Sequence, residues 1–151
     1  MSRALQAVRE AAIDGRLRNV IYRQTQLEKF QTTLSQHVEA VKRAIKSDSG
    51  SSDLEAAVEL LLSLRSLMDY YSLLDETKAL REEYAITRGE DAPSRMEAIG
   101  IVYVVPSTHT VFYSTVLAVV AAIASGNCVV LEVREVLVCR VVLKWIVKST
   151  N

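Results

Sequence analysis

The sequence predicts an α/β fold in which N-terminal helices pack on a small, mainly parallel sheet. Helical patterns fill residues 1–83, and a strand–helix–strand pattern follows in residues 95–135. The helix between those strands is long enough to return the chain for parallel pairing. The remaining residues, 136–151, are predicted to close the sheet as an apolar helix within a dimer. A chain of 151 residues is expected to form one domain.

The first part of the chain predicts a short helix followed by a long one. The short helix covers residues 2–13 and ends before Gly15, a residue suited to the left-handed conformation that closes a helix. Asn19 is the predicted N-cap of the long helix. Its apolar residues recur at helical spacing in one continuous stripe. That stripe comprises Leu27, Phe30, Leu34, Val38, Val41 and Ile45.

A serine-rich turn at residues 47–52 separates the long helix from a third one. Ser52 and Glu55 have the spacing of a capping box, so the third helix is predicted to begin at residue 53. It extends to about residue 75, and a continuation to residue 83 stays open. Its leucines cover a wide arc, which indicates packing on more than one side.

The second part of the chain predicts two buried strands joined by a helix. Residues 99–105 form a β-branched run, and residues 128–133 form another. The segment between them, residues 110–125, is long and alanine-rich, which favours a helix. Gly126 is the predicted cap of that helix. Residues 89–94, which include Pro93, are expected to form a loop.

The last segment supports two interpretations. Its valines are typical of a strand, whereas Arg140, Lys144 and Lys148 recur every four residues, as on one side of a helix. We favour a helix. Since the rest of its surface is apolar, a second subunit is the simplest cover for it, and a homodimer is expected.

The composition narrows the class of protein. Lys plus Arg and Asp plus Glu are both 18, so the net charge is zero and no basic excess points to nucleic acid. No apolar run reaches about 18 residues and no signal peptide is recognised, so we expect a cytoplasmic protein without a membrane span. Cys128 and Cys139 are expected to be buried thiols. Two isolated histidines indicate no metal site.

Residues 97–131 resemble the aldehyde dehydrogenase superfamily. The resemblance consists of a strand ending in Pro106, an apolar helix, and the run GNCVVL at residues 126–131. Upstream, RQTQLEKFQTTL (residues 23–34) and EAAVELLLSLRSLMDYY (residues 55–71) are similar to the N-terminal helices of the class 3, fatty-aldehyde-like branch. The resemblance covers about residues 4–135 and implies a partial N-terminal domain of that family.

The departures from the family pattern bear on function. The resemblance places the family's oxyanion asparagine at Thr108 and its ribose-binding lysine at Glu132. The family's second glycine turn, general-base glutamate and catalytic cysteine are not found in the sequence, and Cys128 aligns with a strand residue. We therefore expect a truncated member without dehydrogenase activity and without a bound cofactor, because Glu132 would repel phosphates. Residues 136–151 are expected to be remodelled to cover the open sheet edge.

Several side chains are candidates for acid–base chemistry or substrate binding. His109 lies in the loop after the first strand, where a histidine can exchange protons near neutral pH; the structural alternative is that it caps the next helix. Arg65 and Asp69 either line an apolar pocket or form an ion pair at the edge of the core. The predicted catalytic residues are His109, Asp69, Arg65, Tyr103 and Tyr113; of the two alternatives for the tyrosines, catalysis and core packing, we favour core packing. The predicted substrate-binding residues are Ser107, Thr108 and Tyr71.

The leading functional hypothesis is a small non-redox acid–base enzyme. It would hold a long acyl or polyketide substrate and catalyse cyclisation to a lactone or pyrone, or hydrolysis. One alternative is a non-catalytic pseudoenzyme that acts as a protein-interaction or oligomerisation module, and another is a vestigial product. The enzyme predicts an enclosed apolar pocket facing His109 or Asp69. The module predicts no such pocket and an exposed patch around residues 136–145.

Overall fold

The computed structural model describes residues 3–91 and 97–132. This part of the chain is α/β, mostly helical with one small sheet. In chain order its elements are α1 (Arg3–Asp14), a 3₁₀ turn (Arg16–Arg18), α2 (Val20–Gln36), α3 (Val38–Ser49), α4 (Asp53–Ser72), α5 (Glu76–Thr87), β1 (Ile101–Val104), α6 (Val111–Ala124) and β2 (Cys128–Leu131). The predicted C-terminal helix, with Cys139, lies outside the described residues.

The prediction of a single long second helix is wrong, because the chain breaks at His37. Its backbone leaves the helical region at φ −122° and ψ 25°. In the two turns before the break, Thr33 Oγ1 donates to the carbonyl of Lys29, and His37 Nδ1 lies 2.9 Å from the carbonyl of Thr33. Such local bonds compete with the helical pattern. The apolar stripe nevertheless continues from α2 into α3, since both helices face the same core.

The third predicted helix begins as expected and ends early. Ser52 Oγ accepts from the N–H of Glu55, and the Glu55 carboxylate accepts from the N–H of Ser52, so the capping box is confirmed. The helix then stops at Ser72. A separate helix, α5, follows, and its N-cap Asp75 accepts a hydrogen bond from the N–H of Lys78.

The strands β1 and β2 pair in parallel, with Ile101 opposite Cys128 and Val104 opposite Leu131. This confirms the predicted parallel crossover through α6. Within residues 3–91 and 97–132 the two strands pair only with each other. Both α1 and α6 contact the strands. No helix in these ranges is long and apolar enough to cross a membrane.

Four helices, α2, α3, α4 and α6, supply the core. Its fully buried side chains include Leu27, Phe30, Leu34, Val41, Ile45, Leu67, Phe112, Val116 and Val120. α4 and α6 run side by side in the same direction. Glu59, early in α4, contacts the first turn of α6. The carbonyls of Leu74, just after α4, and of Ala124, which ends α6, both accept hydrogen bonds from side chains at the start of α2.

Candidate functional site

Most of the predicted site residues lie at the carboxyl end of β1. Ser107, Thr108 and His109 form the loop between β1 and α6, Tyr103 precedes that loop, and Tyr113 follows in the first turn of α6. In open parallel sheets this is the end at which ligands usually bind. The structure therefore brings these five residues to one end of the strand–helix–strand unit.

The loop is held largely by bonds within itself. The N–H of His109 donates to Ser107 Oγ at 3.0 Å, while the Ser107 and Thr110 hydroxyls both donate to the His109 carbonyl. Thr110, the N-cap of α6, has φ 46° and makes no side-chain cap bond. A branched residue in this left-handed region is strained. The His109 imidazole is exposed and, within the described part of the chain, no side chain orients it as an acid or base.

A buried carboxylate that the sequence did not reveal anchors this end. Glu59, in α4, is only 9% exposed, and its Oε1 accepts a hydrogen bond of 3.0 Å from the N–H of Tyr113. The first turn of α6 has no acidic residue of its own, so Glu59 brings negative charge to the positive end of that helix. The available signal was periodicity, because Glu59 shares its helical face with buried Ala56, Leu60 and Ser63.

Tyr103 and Glu132 are hydrogen-bonded to each other across the carboxyl ends of the two strands. This bond raises the pKa of the Tyr103 phenol above its ordinary value, with smaller contributions from burial and the Glu132 charge. Tyr103 is 60% exposed, so the core-packing alternative is wrong for this residue. The Glu132 carboxylate thus already accepts a hydrogen bond from the neutral phenol of Tyr103.

Arg65 and Asp69 form a separate group on α4. Arg65 Nε donates to Asp69 Oδ1 at 3.0 Å, which confirms their predicted pairing, and the side chains are 74% and 60% exposed. Asp69 lies about 15 Å along α4 from Glu59, at a rise of about 1.5 Å per residue. Since α4 and α6 run in the same direction, this pair lies toward the opposite end from His109.

Tyr71, the third predicted residue on α4, is tied to α2. Its hydroxyl donates to Glu28 Oε1 at 2.7 Å, and this bond raises the pKa of the phenol. The predicted set is therefore divided. Loop residues gather at the carboxyl end of the strands, while Arg65, Asp69 and Tyr71 gather on the last turns of α4.

The amino end of the strands is held by bonds between distant residues. Asn127 is buried, and its Oδ1 accepts from the N–H of Gly100 at 2.9 Å. At the end of α6, Arg23 Nη1 donates to the carbonyl of Ala124 at 2.5 Å. A guanidinium is favourable at a helix C-terminus. The partner of neither side chain could be predicted from the sequence, because both bonds depend on tertiary packing.

A small cleft opens at this amino end. Its volume is 170 Å³, and it is lined by Ala11, Ala12, Gly15, Leu17, Arg18, Ala98, Ile99, Gly100, Gly126 and Cys128. Cys128 is buried, as predicted, and burial raises the pKa of its thiol. A thiol that is protonated near neutral pH is a poor nucleophile. The cleft lies across the sheet from His109, so it does not complete a site with that residue.

The described residues just after the two strands offer no lysine or arginine to a phosphate, and the described part of the chain offers no cluster of metal ligands. Residues 105–110 and 132, which follow the two strands, include no lysine or arginine that could meet a phosphate. The amide of Tyr113, at the start of α6, already donates to Glu59. Among the described residues, no group of three or more His, Cys, Asp or Glu side chains could hold a metal ion.

A family model and several individual proteins that match this chain are all aldehyde dehydrogenases. The model of the aldehyde dehydrogenase family matches residues 1–144. The chain is 31% identical over 140 residues to aldehyde dehydrogenase family 3 member B1 of Mus musculus, covering 87% of this chain and 29% of that protein. It is 27% identical over 144 residues to the dimeric NADP-preferring aldehyde dehydrogenase of Rattus norvegicus, covering 90% and 31%.

A third relative is aldehyde dehydrogenase family 3 member A2 of Macaca fascicularis, 25% identical over 138 residues, which cover 89% of this chain and 28% of that protein. The chain thus spans less than a third of the length of each of these three relatives. No solved structure matches it significantly.

Proposed function

This chain belongs to the aldehyde dehydrogenase family, and we propose that its 151 residues act as a non-catalytic interaction and oligomerisation module built on that family's scaffold. One observation carries the proposal. The candidate acid–base residues lie in two separate, solvent-exposed groups, whereas large apolar side chains are left exposed on α4 and β1. General acid–base catalysis needs its groups within hydrogen-bond reach of one reacting atom.

Hydride transfer by this chain is not part of the proposal. The described thiol, Cys128, is buried at the amino end of β2, where its pKa is raised. Glu132, which stands where the family resemblance places a ribose-binding lysine, bonds to Tyr103 and presents a carboxylate to any approaching phosphate. The rat relative is described as dimeric and NADP-preferring. We carry over the dimeric state to this chain and not the coenzyme.

A non-redox acid–base enzyme on a long acyl or polyketide chain is the second candidate. The observation in its favour is the loop at the carboxyl end of β1, where Ser107, Thr108 and His109 lie together and Tyr103 is close in sequence. In this version His109 exchanges the proton, and exposed apolar side chains of β1 hold the substrate chain.

Assays of the purified chain separate the two candidates. The module should show no saturable binding of NAD⁺ or NADP⁺ by calorimetry and no hydrolysis of long-chain nitrophenyl esters, while its sedimentation shows self-association. His109→Ala and Asp69→Ala should leave all three readouts unchanged. Ester hydrolysis that disappears in His109→Ala would favour the enzyme instead. Saturable coenzyme binding would contradict both versions.

A further inference from the structure

The cleft at the amino end of the strands combines one charged side chain with small apolar walls. Its lining comes from α1, the 3₁₀ turn, the residues before β1 and the start of β2. Among the described residues that line it, Arg18 is the one that carries a charge, and most of the others are alanines and glycines. Apolar walls around a single charged group are typical of a small-molecule site. We call this the amino-end cleft.

The guanidinium of Arg18 has no carboxylate partner among the described residues. The acidic residues next to the walls are engaged elsewhere: Glu10 accepts from Gln6, Asp14 pairs with Arg16 at 3.2 Å, and Glu97 has a contact of its own. Arg16 lies on the same 3₁₀ turn as Arg18 and is balanced by its own neighbour. Within the described part of this turn, Arg18 is therefore the cation that is left to meet an anion.

The position of Arg18 is fixed by the backbone around it. Its N–H donates to the carbonyl of Gly15 at 2.9 Å, and its carbonyl accepts from Arg23 Nη2 at 3.5 Å. Since Arg23 also donates to the carbonyl of Ala124, it ties the turn to the end of α6. A Cβ added at Gly15 would lie 3.0 Å from Arg18 Cδ and 3.2 Å from Arg18 Nε. The Arg18 side chain thus lies close against Gly15, in a place prepared before any ligand arrives.

The size and chemistry of the amino-end cleft favour a short carboxylate. Its volume of 170 Å³ equals the space of about five or six water molecules, at about 30 Å³ each. A carboxylate with about four carbons is of this size. The planar guanidinium group can donate two parallel hydrogen bonds to a carboxylate, and the alanine methyl groups suit an alkyl tail. A phosphate dianion would meet a single cation among the described wall residues, which leaves part of its charge unmatched.

We propose that the amino-end cleft binds a short aliphatic carboxylate, with Arg18 as the anchor and the methyl groups of Ala11, Ala12 and Ala98 against the alkyl tail. The inference goes beyond the proposed function and does not rest on it, because the cleft takes no residue from α4 and lies across the sheet from His109. One ion pair at an open mouth gives weak binding, so a dissociation constant of about 1–10 mM is expected.

The first experiment compares butyrate with butyramide, its neutral analogue, by NMR titration of the ¹⁵N-labelled chain. Butyrate should shift the amides of Gly100 and Gly126 and the Nε–H of Arg18 along one saturable curve. Butyramide should bind at least about tenfold more weakly, because it lacks the charge. Shifts that do not saturate below about 100 mM butyrate would overturn the site. Inorganic phosphate that binds as tightly as butyrate would overturn the assignment to carboxylates.

The two arginines of the 3₁₀ turn give a matched pair of variants. Arg18→Gln removes the anchor and should weaken butyrate binding at least about tenfold. Arg16→Gln removes the same charge two residues away, where Asp14 already pairs with it, and should weaken binding less than about threefold. Equal losses in the two variants would contradict the inference, since the effect would then come from net charge and not from the cleft.

Cys128 gives a second readout that remains informative if Arg18→Gln fails to fold. Because Cys128 lines the amino-end cleft, a bound carboxylate blocks the approach of a small thiol reagent. In a chain with Cys139→Ser, butyrate at about four times its dissociation constant should slow the modification of Cys128 by methyl methanethiosulfonate about fivefold. Butyramide at the same concentration should change the rate little. A rate that butyrate leaves unchanged would overturn the proposed site.

Filling the cleft from α1 tests its walls without a change of charge. Ala11→Leu places a larger side chain in the cleft and should abolish both butyrate binding and the protection of Cys128. Ala7→Leu, one turn earlier on the same helix, is the control: Ala7 is exposed and lies outside the walls, so binding should change less than about twofold. Undiminished butyrate binding by Ala11→Leu would place the ligand elsewhere and overturn the inference. Self-association of the chain, which tests the proposed function, is measured separately and is expected to be the same in all of these variants.

Discussion

The two ends of the strand–helix–strand unit, residues 97–132, are built differently. At the amino end of the strands, the buried Asn127 side chain accepts from the N–H of Gly100, and Arg23 of α2 donates to the carbonyl of Ala124, the last residue of α6. At the carboxyl end, the side-chain bond between the strands is the exposed one between Tyr103 and Glu132, beside the backbone bond from the N–H of Glu132 to the carbonyl of Val104. The loop beside it bonds mainly to itself.

The comparison shows how an apolar helix obtains its end charges from its neighbours. α6 has no acidic residue in its first turn and no basic residue in its last. Glu59 of α4 supplies the negative charge at its start, and Arg23 of α2 supplies the positive charge at its end. The amino end has several further bonds. The carboxyl end has fewer buried bonds, with Glu59 as its buried anchor. Substitutions at the carboxyl end are therefore expected to lower the free energy of unfolding less than substitutions at the amino end.

The largest predicted effect is at the amino end. Gly126 has φ +83°, and a Cβ added there would lie 3.1 Å from the carbonyl oxygen of Leu17 and 3.3 Å from the Cβ of Ala98. Gly126→Ala should therefore lower the free energy of unfolding by about 2–4 kcal/mol, as measured by urea denaturation.

Gly50→Ala is the matched control. Gly50 also has positive φ, +67°, but nothing lies within 4 Å of an added Cβ. Gly50→Ala should lower the free energy of unfolding by only about 1 kcal/mol, because backbone strain is its only cost. If both variants lose the same stability, the close approach at Gly126 does not contribute, and the contrast between the two ends of the unit is weakened.

A smaller effect is predicted at the carboxyl end. Glu59→Ala removes the acceptor for the N–H of Tyr113 and should lower the free energy of unfolding by about 1–3 kcal/mol. Amide hydrogen exchange should accelerate at Tyr113 and its neighbours in the first turn of α6, and remain unchanged at residues 121–125.

Glu59→Gln keeps an oxygen acceptor of the same shape and removes the charge. This variant should keep most of the slow amide exchange at Tyr113. It should lower the free energy of unfolding by about 1 kcal/mol or less relative to the wild-type chain. If Glu59→Gln behaves like Glu59→Ala, the negative charge at the helix start matters more than the hydrogen bond. Unchanged exchange in both variants would mean that Glu59 does not anchor α6.

Features encoded by neighbouring residues could be predicted from the sequence. The capping box of Ser52 and Glu55, the glycine that ends α6 and the parallel pairing all depend on short-range patterns. The break at His37 could not be predicted, because the apolar stripe continues through it. At the break, His37 Nδ1 lies 2.9 Å from the carbonyl of Thr33, a contact that the apolar pattern does not encode.

In the candidate site, too, only the features encoded by neighbouring residues could be predicted from the sequence. The gathering of residues 107–109 after β1 followed from their order in the chain. The separation of Asp69 from His109 depends on the relative direction of α4 and α6, which no local pattern encodes. The anchoring role of Glu59 depends on which helix lies against it, so its helical face could be predicted from spacing and its partner could not.

The smallest predicted effect concerns the exposed bond at the carboxyl end. Glu132 raises the pKa of Tyr103, so the folded state holds this proton more tightly than the unfolded state does. The stabilisation is therefore complete below the ordinary tyrosine pKa of about 10 and is lost as pH rises through the raised value. Glu132→Gln should lower the pKa of Tyr103, followed by NMR of labelled tyrosine rings. Tyr71, whose phenol bonds to Glu28, should keep its own raised pKa and serves as the internal reference. A Tyr103 titration unchanged by Glu132→Gln would mean that the side chains of Tyr103 and Glu132 do not bridge the strands, and the contrast with the buried Asn127 bond would become sharper.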